Sequence, residues 1–345
     1  MEAKWIIQGR NMKNKPLLFF VSFFLLLFVI PLIGNDYSND WVVKTIIFAI
    51  LALSLELLVG TTGLICFGQA AFFGVGAYAT VILTAKFPDP SLWFLIGTST
   101  VAAAILALFV GALSLRTKGV YFIMVTLAFA QMVYYVIHDT PLGGGTDGIY
   151  LASKPMLFSD VGLSNPTVFY YFTVGCLLMI LVLLGVLLRS RFGHALVGIR
   201  INENRMSAAG YETYFYKLAI FVISGCIAGL AGFLYAIKDG FVNPELLSWH
   251  QSGAVLIMII LGGLGYLRGA VIGAFAFALL EEIFRSEALF GAFSKHWHLG
   301  LGLSIILCVA TLPKGLISLP SQWRIRLMGN SGSDEVVDTV NGEKA

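Results

Sequence analysis

The chain has 345 residues, of which 58% are hydrophobic and 12% charged, and its formal net charge is +3. Soluble proteins average about 45–50% apolar and about 25% charged residues, so this composition excludes an ordinary soluble domain and indicates an integral membrane protein. The small charge, without a basic run interleaved with aromatic residues, argues against a nucleic-acid partner. The four cysteines lie in apolar runs without a CxxC spacing and are predicted to be small core residues.

Ten apolar runs follow one another along the chain, most of them close to the length of about 20 residues that a membrane-spanning helix needs. The eighth and ninth runs are separated only by Gly265–Gly269, so they could instead form one re-entrant pair. The predicted fold class is all-α, a polytopic integral membrane protein with about ten transmembrane helices. The runs cover residues 17–33, 41–60, 63–85, 92–113, 119–137, 167–188, 214–237, 251–267, 269–285 and 299–313.

The first run follows a polar N-terminal segment and is longer than the apolar core of a secretory signal, about 7–15 residues, so we interpret it as a retained span. With the N-terminus inside and ten alternating spans, most of the 22 lysines and arginines fall on the inner side, which predicts that both termini are cytoplasmic. The predicted organisation has an N-terminal cytoplasmic segment (1–16), a transmembrane domain (17–313) and a polar cytoplasmic tail (314–345), disordered at its end.

Glycine clusters interrupt the third run and the region between the eighth and ninth runs. Gly68 and Gly74 belong to the first cluster, and Gly262 and Gly263 to the second. Glycine clusters mark helix breaks, which are tolerated at membrane depth only against protein or a water-filled cavity. Two such segments, one in each half, favour a transporter built from repeats. Tight packing of helices through small residues is the alternative.

Polar side chains within the spans are candidates for a transport pathway, because they are costly in lipid. Glu56 lies in the second run and Gln69 among the glycines of the third. For Glu56, the alternatives are snorkelling to the interface, pairing across helices, or contact with a neighbouring subunit. The candidate pathway residues are therefore Glu56, Gln69, Gly68, Gly74, Gly262 and Gly263.

A basic segment, 189–213, separates the sixth and seventh runs and is predicted to form a weakly amphipathic helix of about four turns that ends at Gly210. Its arginines favour the cytoplasmic surface. A transporter with a separate cytoplasmic motor needs an element of this kind; the alternative is a loop that its arginines hold to anionic lipid. The candidate contact residues are Arg191, Gly193, Arg200, Glu203, Arg205 and Gly210.

Motifs for covalent chemistry are missing from the sequence. It contains no G-x-x-x-x-G-K-[ST] phosphate loop, no H-E-x-x-H and no G-x-S-x-G. The histidines are not spaced as a set of metal ligands. We therefore predict a protein that is not an enzyme and has no cofactor or metal of its own.

Several separated motifs together resemble one family, the LivM-type permeases of branched-chain amino acid ABC importers. The resemblance covers most of the chain, from about residue 51 to residue 316. The motifs are GTTGLICFGQAAFFGVGAY (60–78), RTKGVYF (116–122), GGTDG (144–148), RFGHA (191–195) and LGGLG (261–265).

The resemblance implies a transport subunit of the bacterial inner membrane that works with a second homologous permease, two ATP-binding subunits and a periplasmic substrate-binding protein. It implies that the basic segment docks on an ATP-binding subunit. The predicted topology places the glycine-rich turn with Thr146 and Asp147 outside, which makes these residues candidates for docking the binding protein. Gln69 stands where the family usually has His, and Glu56 where Asn is common. The substrate therefore stays open between branched-chain amino acids and another small solute such as urea. A self-sufficient channel or secondary transporter is the rival class.

Overall fold

The computed structural model describes residues 35–87, 90–158, 161–163, 165–286, 295–312 and 315–318, together with positions 28 and 31. The predicted N-terminal segment, nearly all of the first run and most of the C-terminal tail lie outside these residues. The described helices are α1 (Asp36–Thr62), α2 (Gln69–Lys86), α3 (Leu92–Ser114), α4 (Val120–Asp139), α5 (Pro166–Arg189), α6 (Arg191–Ile201), α7 (Glu203–Ala208), α8 (Thr213–Asp239), α9 (Trp249–Gly262), α10 (Leu267–Arg285) and α11 (Trp297–Thr311). The short strands are β1 (Ile149–Tyr150), β2 (Met156–Phe158), β3 (Val161–Gly162) and β4 (Phe241–Val242).

The prediction of an all-α polytopic membrane protein is confirmed. Among the described residues, α1, α3, α4, α5 and α8 are long and apolar enough to span a membrane, which makes 5 spans. The number rises to 6 if α9 and α10, which meet at an angle of 114°, form one broken span. This is fewer than the ten apolar runs, because nearly all of the first run lies outside the described residues and several of the others form shorter helices. The third run begins with a non-helical stretch after Gly63, whose φ is +73°, and α11 has only 15 residues.

Helix α1 is the centre of the molecule, since its most apolar stretch is 89% buried. A helix that is hydrophobic all round is buried on every side, and Ile46, Ile50 and Leu53 on α1 are fully enclosed. Helix α8 packs against α1 in the opposite direction. Lys238 at the end of α8 forms an ion pair of 3.1 Å with Asp40 near the start of α1.

The units α1–α3 and α8–α10 have the same plan and run in opposite directions. Each begins with a helix of 27 residues that ends at a left-handed glycine, Gly63 in one unit and Gly240 in the other. A stretch without α-helix and then a shorter α-helix follow in both. The two breaks meet, because Ser252 near the start of α9 accepts a hydrogen bond of 3.0 Å from the Ala70 N–H near the start of α2. This is the inverted-repeat layout that many transporters share.

Small residues hold the helices of the two units at close range. A Cβ atom on Gly232 of α8 would lie 2.0 Å from the carbonyl oxygen of Phe73 on α2. A Cβ atom on Gly76 of α2 would lie 2.4 Å from the carbonyl oxygen of Gly229 on α8. The helices therefore touch backbone to backbone, as small residues permit in membrane proteins.

The two ends of the helix bundle have different characters. At the ribbon end, defined by the antiparallel pair β1–β4, Ile149 lies opposite Val242. Asp40 and Lys238 also lie at this end, where α1 begins and α8 ends. At the arginine end, defined by α6, α7 and the first turn of α8, Arg200 reaches the last turn of α1. The bundle thus separates two surfaces that a membrane protein would expose on opposite sides.

Candidate translocation and coupling sites

A cluster of polar side chains lies at the point where the two helix breaks meet. The Gln69 side-chain amide donates to the hydroxyl oxygens of Ser54 at 2.6 Å and of Ser224 at 3.0 Å. Ser224 in turn donates to the carbonyl oxygen of Ser54 at 2.6 Å. Together with Ser252, these residues form the central polar cluster, whose members are at most 1% exposed. The cluster ties α1, α2, α8 and α9 together.

The non-helical stretch before α2 positions Gln69 within the bundle. The Phe67 N–H donates to the Thr126 hydroxyl on α4 at 3.3 Å. Gly68 precedes α2, and a Cβ atom there would lie 3.2 Å from the carbonyl oxygen of Thr126. The stretch 63–68 therefore leads into the bundle as irregular backbone, and the chain becomes helical only at Gln69. Irregular backbone at membrane depth needs protein around it in this way.

Chemically, the central polar cluster offers hydroxyl and amide groups and no formal charge. The carbonyl oxygen of the Gln69 side chain has no hydrogen-bond partner among the described residues. A buried acceptor without a partner costs about 1–3 kcal/mol, so this atom would gain from a donor. The cluster suits contacts with a polar solute, and it is closed to solvent in this structure.

The predicted pathway glycines lie at close helix contacts. A Cβ atom on Gly74 would lie 2.3 Å from the side chain of Leu247, and one on Gly262 would lie 1.8 Å from the carbonyl oxygen of Gly269. Gly263 ends α9 with a φ of +113°. These contacts are the tight packing that the sequence left as an alternative reading.

Glu56 pairs across helices, which is one of the alternatives that the sequence left open. Its side chain is 2% exposed, and its Oε1 atom accepts a hydrogen bond of 2.6 Å from the Gly265 N–H in the turn between α9 and α10. In this structure the carboxylate therefore lies in a packed junction near the arginine end. It does not belong to the central polar cluster.

The basic segment consists of two helices, α6 and α7, so the prediction of one continuous helix is wrong. The break falls at Asn202, whose backbone is extended and whose side chain accepts a hydrogen bond of 2.9 Å from the Arg205 N–H. A side-chain cap of this kind starts a new helix. Gly210 ends the segment as predicted. Its φ is +88°, and its N–H donates a hydrogen bond to the carbonyl oxygen of Ser207.

Both helices of the basic segment are bonded to the long central helices. Arg200 on α6 donates to the carbonyl oxygen of Gly60 on α1 at 2.5 Å. Glu203 on α7 accepts from Lys217 on α8 at 2.5 Å and from the Thr213 hydroxyl at 3.2 Å. A displacement of this segment would therefore act on α1 and α8 together.

Glu203 is held in its charged form by these contacts. Burial opposes ionisation, but the hydrogen bond and charge of Lys217 outweigh it, so the pKa of Glu203 is lowered below its ordinary value. A carboxylate with a lowered pKa stabilises the fold above its ordinary pKa and loses that contribution as the pH falls through the lowered value. The link between α7 and α8 is therefore present at neutral pH.

The remaining residues of the predicted contact set divide into exposed and buried positions. Arg191, Arg205 and Gly210 are exposed at the arginine end. Gly193 is buried, and a Cβ atom there would lie 2.5 Å from the carbonyl oxygen of Leu188, so it allows α6 to turn closely after α5. The exposed arginines give this end a basic surface.

Thr146 and Asp147 are exposed in a short 3₁₀ turn at the ribbon end, far along the bundle from the basic segment. The turn is held by Gly148, whose φ is +71° and whose Cβ would lie 2.4 Å from the carbonyl oxygen of Val242. The loop after α4 and the loop after α8 thus form one surface.

The fold and these two surfaces define the chain as a multi-pass membrane permease. A sequence model of the family described as "Branched-chain amino acid transport system / permease component" matches residues 38–310. The chain belongs to this family, which confirms the resemblance carried by its motifs.

Two of three relatives span most of the chain, and the third matches about a third of it. The high-affinity branched-chain amino acid transport system permease protein LivM of Escherichia coli (strain K12) is 29% identical over 336 residues, which cover 91% of this chain and 77% of that protein. The probable branched-chain amino acid transport permease protein LivH of Methanocaldococcus jannaschii is 27% identical and covers 86% of this chain and 94% of that protein. The autoinducer 2 import system permease protein LsrC of Escherichia coli O9:H4 (strain HS) is 27% identical over 128 residues, 35% of this chain and 37% of that protein.

Proposed function

We propose that the chain is the permease subunit of an ABC importer that moves branched-chain or related amino acids across the bacterial inner membrane. The ATP is hydrolysed on partner subunits, and this chain performs no covalent chemistry. The observation that carries the proposal is the attachment of the exposed basic segment to both α1 and α8 through Arg200 and Glu203. The names of the LivM and LivH relatives support the substrate class.

The mechanism is alternating access driven from the basic segment. When the ATP-binding subunits close, they push on α6 and α7, and the push reaches α1 and α8 through the two bonds. Ser54 lies on α1 and Ser224 on α8, so a relative movement of these helices separates the partners of Gln69. The cluster then opens to one side at a time, as a bistable packed interface changes between discrete states.

The proposed assembly contains a second homologous permease, two ATP-binding subunits and a periplasmic substrate-binding protein. Both termini and the arginine end face the cytoplasm, and the ribbon end with Thr146 and Asp147 faces the binding protein. Helices α3 and α4 carry many exposed apolar side chains, and the most apolar stretch of α4 is only 17% buried. Lipid and the second permease would cover these faces.

A self-sufficient secondary transporter is the rival function. It needs ion ligands or a proton relay within the membrane, and Glu56 is instead bonded to the α9–α10 turn. Co-purification separates the two functions. The ABC permease is recovered with its ATP-binding subunit after mild detergent extraction, whereas a secondary transporter is recovered without one.

Charge reversal at the arginine end is expected to uncouple transport. In the Arg191→Glu/Arg205→Glu double variant, the docking surface changes from basic to acidic, so stimulation of ATP hydrolysis by the binding protein is expected to fall several-fold. Gly210→Pro is expected to act in the same direction, because proline cannot adopt a φ of +88°. The measurement is ATPase activity of the purified complex.

The matched control is Arg191→Lys/Arg205→Lys, which keeps the positive charge at both exposed positions. It is expected to keep ATPase stimulation. Normal stimulation in the arginine double variant and in Gly210→Pro would rule out the assignment of this segment to coupling.

A cysteine introduced at Thr146 is expected to react with an impermeant thiol reagent in intact spheroplasts, because the proposed topology places the ribbon end outside. Arg205→Cys is the matched control and is expected to react only after permeabilisation. The parent protein gives the background from its own cysteines, of which Cys66 and Cys176 are buried. The reverse labelling pattern would invert the proposed topology.

A further inference from the structure

The carboxyl group of Glu56 lies against the turn that leads into α10. Its Oε1 atom accepts from the Gly265 N–H at 2.6 Å, and Gly265, with a φ of +89°, directly precedes the N-cap residue Tyr266. A backbone N–H needs an acceptor, and the Glu56 side chain supplies one to the turn that leads into α10. The side chain is 2% exposed, so this contact is a fixed part of the packed protein.

Gly60 provides the space for this contact, one turn further along α1. A Cβ atom on Gly60 would lie 2.5 Å from the Oε1 atom of Glu56 and 3.4 Å from the Cα atom of Gly265. Any larger residue at position 60 would push the carboxylate away from the turn. Glu56 and Gly60 therefore form one structural unit, which we call the α1 joint.

The α1 joint is bonded on its other side to the basic segment. Arg200 on α6 donates to the carbonyl oxygen of Gly60 at 2.5 Å. The last four carbonyl groups of a helix have no partner within the helix, and the guanidinium of Arg200 fills this role for one of them. The same turn of α1 is thus held by α6 and by the start of α10.

From α10 the contacts continue to the centre of the protein. The α9–α10 hairpin bends by 114° at the turn that Glu56 holds. Ser252, near the other end of α9, accepts from the Ala70 N–H at 3.0 Å, next to Gln69. An unbroken series of contacts therefore leads from Arg200 through the α1 joint and the hairpin to the central polar cluster.

We propose that the α1 joint transmits movement of α6 to the α9–α10 hairpin, so that Glu56 is a positioning residue for transport. The proposal rests on the proposed function, because it takes α6 as the element that the ATP-binding subunits move. The hydrogen bond of 2.6 Å between the Gly265 N–H and the Glu56 side chain ties the turn to α1, so the turn follows α1 when α1 moves. The hairpin then shifts Ser252 relative to Gln69.

The test measures substrate taken up per ATP hydrolysed by the complete complex in proteoliposomes supplied with binding protein and radiolabelled leucine. Glu56→Ala and Arg200→Ala are each expected to lower this ratio several-fold while ATP hydrolysis continues. Glu56→Gln keeps an acceptor oxygen and is expected to recover most of the ratio. Gly60→Ala, which displaces the carboxylate without removing it, is expected to lower the ratio as Glu56→Ala does, and it serves if Glu56→Ala does not fold.

The double variant Glu56→Ala/Arg200→Ala distinguishes a series of contacts from two separate packing defects. If the contacts act in series, losing a second contact adds no further loss of transport. The double variant is then expected to have the same ratio of uptake to ATP hydrolysis as the worse of the two single variants. Independent defects would multiply their losses, and that result would overturn the proposal. The control is Thr61→Val. Thr61 is buried on the same turn of α1, and valine has nearly the shape of threonine, so this variant is expected to keep the parent ratio of uptake to ATP hydrolysis.

Two further outcomes would contradict the α1 joint. One is a parent-like ratio in both Glu56→Ala and Gly60→Ala. The other is a changed preference among amino acids in Glu56→Gln at an unchanged ratio, which would make Glu56 a pathway residue. If the parent complex shows no ATP-dependent uptake, the proposed function is wrong and the role of the α1 joint falls with it. If the parent complex does show such uptake, a negative result in the variants contradicts only the role of the α1 joint.

Discussion

Gly232→Leu is expected to prevent the protein from folding, and Gly232→Ala to destabilise it strongly. A Cβ atom on Gly232 would lie 2.0 Å from the carbonyl oxygen of Phe73 and 2.8 Å from the backbone nitrogen of Ala77. These atoms belong to the backbone of α2, so they cannot move aside as a flexible side chain can. Overpacking a core costs about 1–3 kcal/mol when side chains can shift, and a larger loss is expected here.

The measurement is the yield of monodisperse protein and its melting temperature in detergent. Gly175→Ala is the matched control, since nothing lies within 4 Å of a Cβ atom on this glycine in α5. Alanine favours a helix interior over glycine by about 0.5–1 kcal/mol, so this control is expected to melt at the same or a higher temperature. Equal melting temperatures for Gly232→Ala and Gly175→Ala would contradict the backbone contact between α2 and α8.

Gln69→Leu is expected to give the second large effect, on stability and on transport. Leucine keeps the volume near that of glutamine but removes the donor to the Ser54 and Ser224 hydroxyls. Losing a buried hydrogen-bond partner costs about 1–3 kcal/mol. The start of α2 also loses its link to α1 and α8, so uptake is expected to fall more steeply than the amount of folded protein.

Gln69→His is the matched control, because an imidazole N–H can donate to a hydroxyl. It is expected to keep folded protein and measurable uptake. The measurements are the melting temperature and uptake normalised to protein in the membrane. Gln69→Leu with the melting temperature and uptake of the parent would mean that the central polar cluster contributes to neither folding nor transport.

The sequence predicts the long helices well, because charges and turn residues bound them. The run 167–188 corresponds to α5 (Pro166–Arg189), where Pro166 and Arg189 mark the two ends. The run 214–237 corresponds to α8 (Thr213–Asp239). The composition of about twenty residues is enough to predict such a helix, because its position depends little on contacts with the rest of the chain.

The helix breaks are harder to predict, because contacts from distant segments decide where helix begins. The stretch before Gln69 is as apolar as the helix that follows it, and the contact with Thr126 on α4 holds it irregular. The break at Asn202 depends on the side-chain cap of α7. Neither contact leaves a periodic pattern in the sequence.

The candidate site is predictable only in part, for a related reason. Buried amide and carboxylate groups are conspicuous in an apolar run, so Gln69 and Glu56 can be singled out. Their partners are 155 residues away in the case of Ser224 and 209 residues away in the case of Gly265. A serine or a glycine in an apolar run has no distinguishing feature, so these partners become visible only when the chain is folded.

Uptake by the reconstituted complex is the most direct test of the function proposed for this chain. Proteoliposomes contain this permease, the second permease and both ATP-binding subunits, and radiolabelled leucine is presented on the binding protein. Uptake is expected to require ATP and to fall several-fold when this chain is replaced by the Arg191→Glu/Arg205→Glu variant. Equal uptake by this chain alone, without ATP-binding subunits or ATP, would contradict the proposed function.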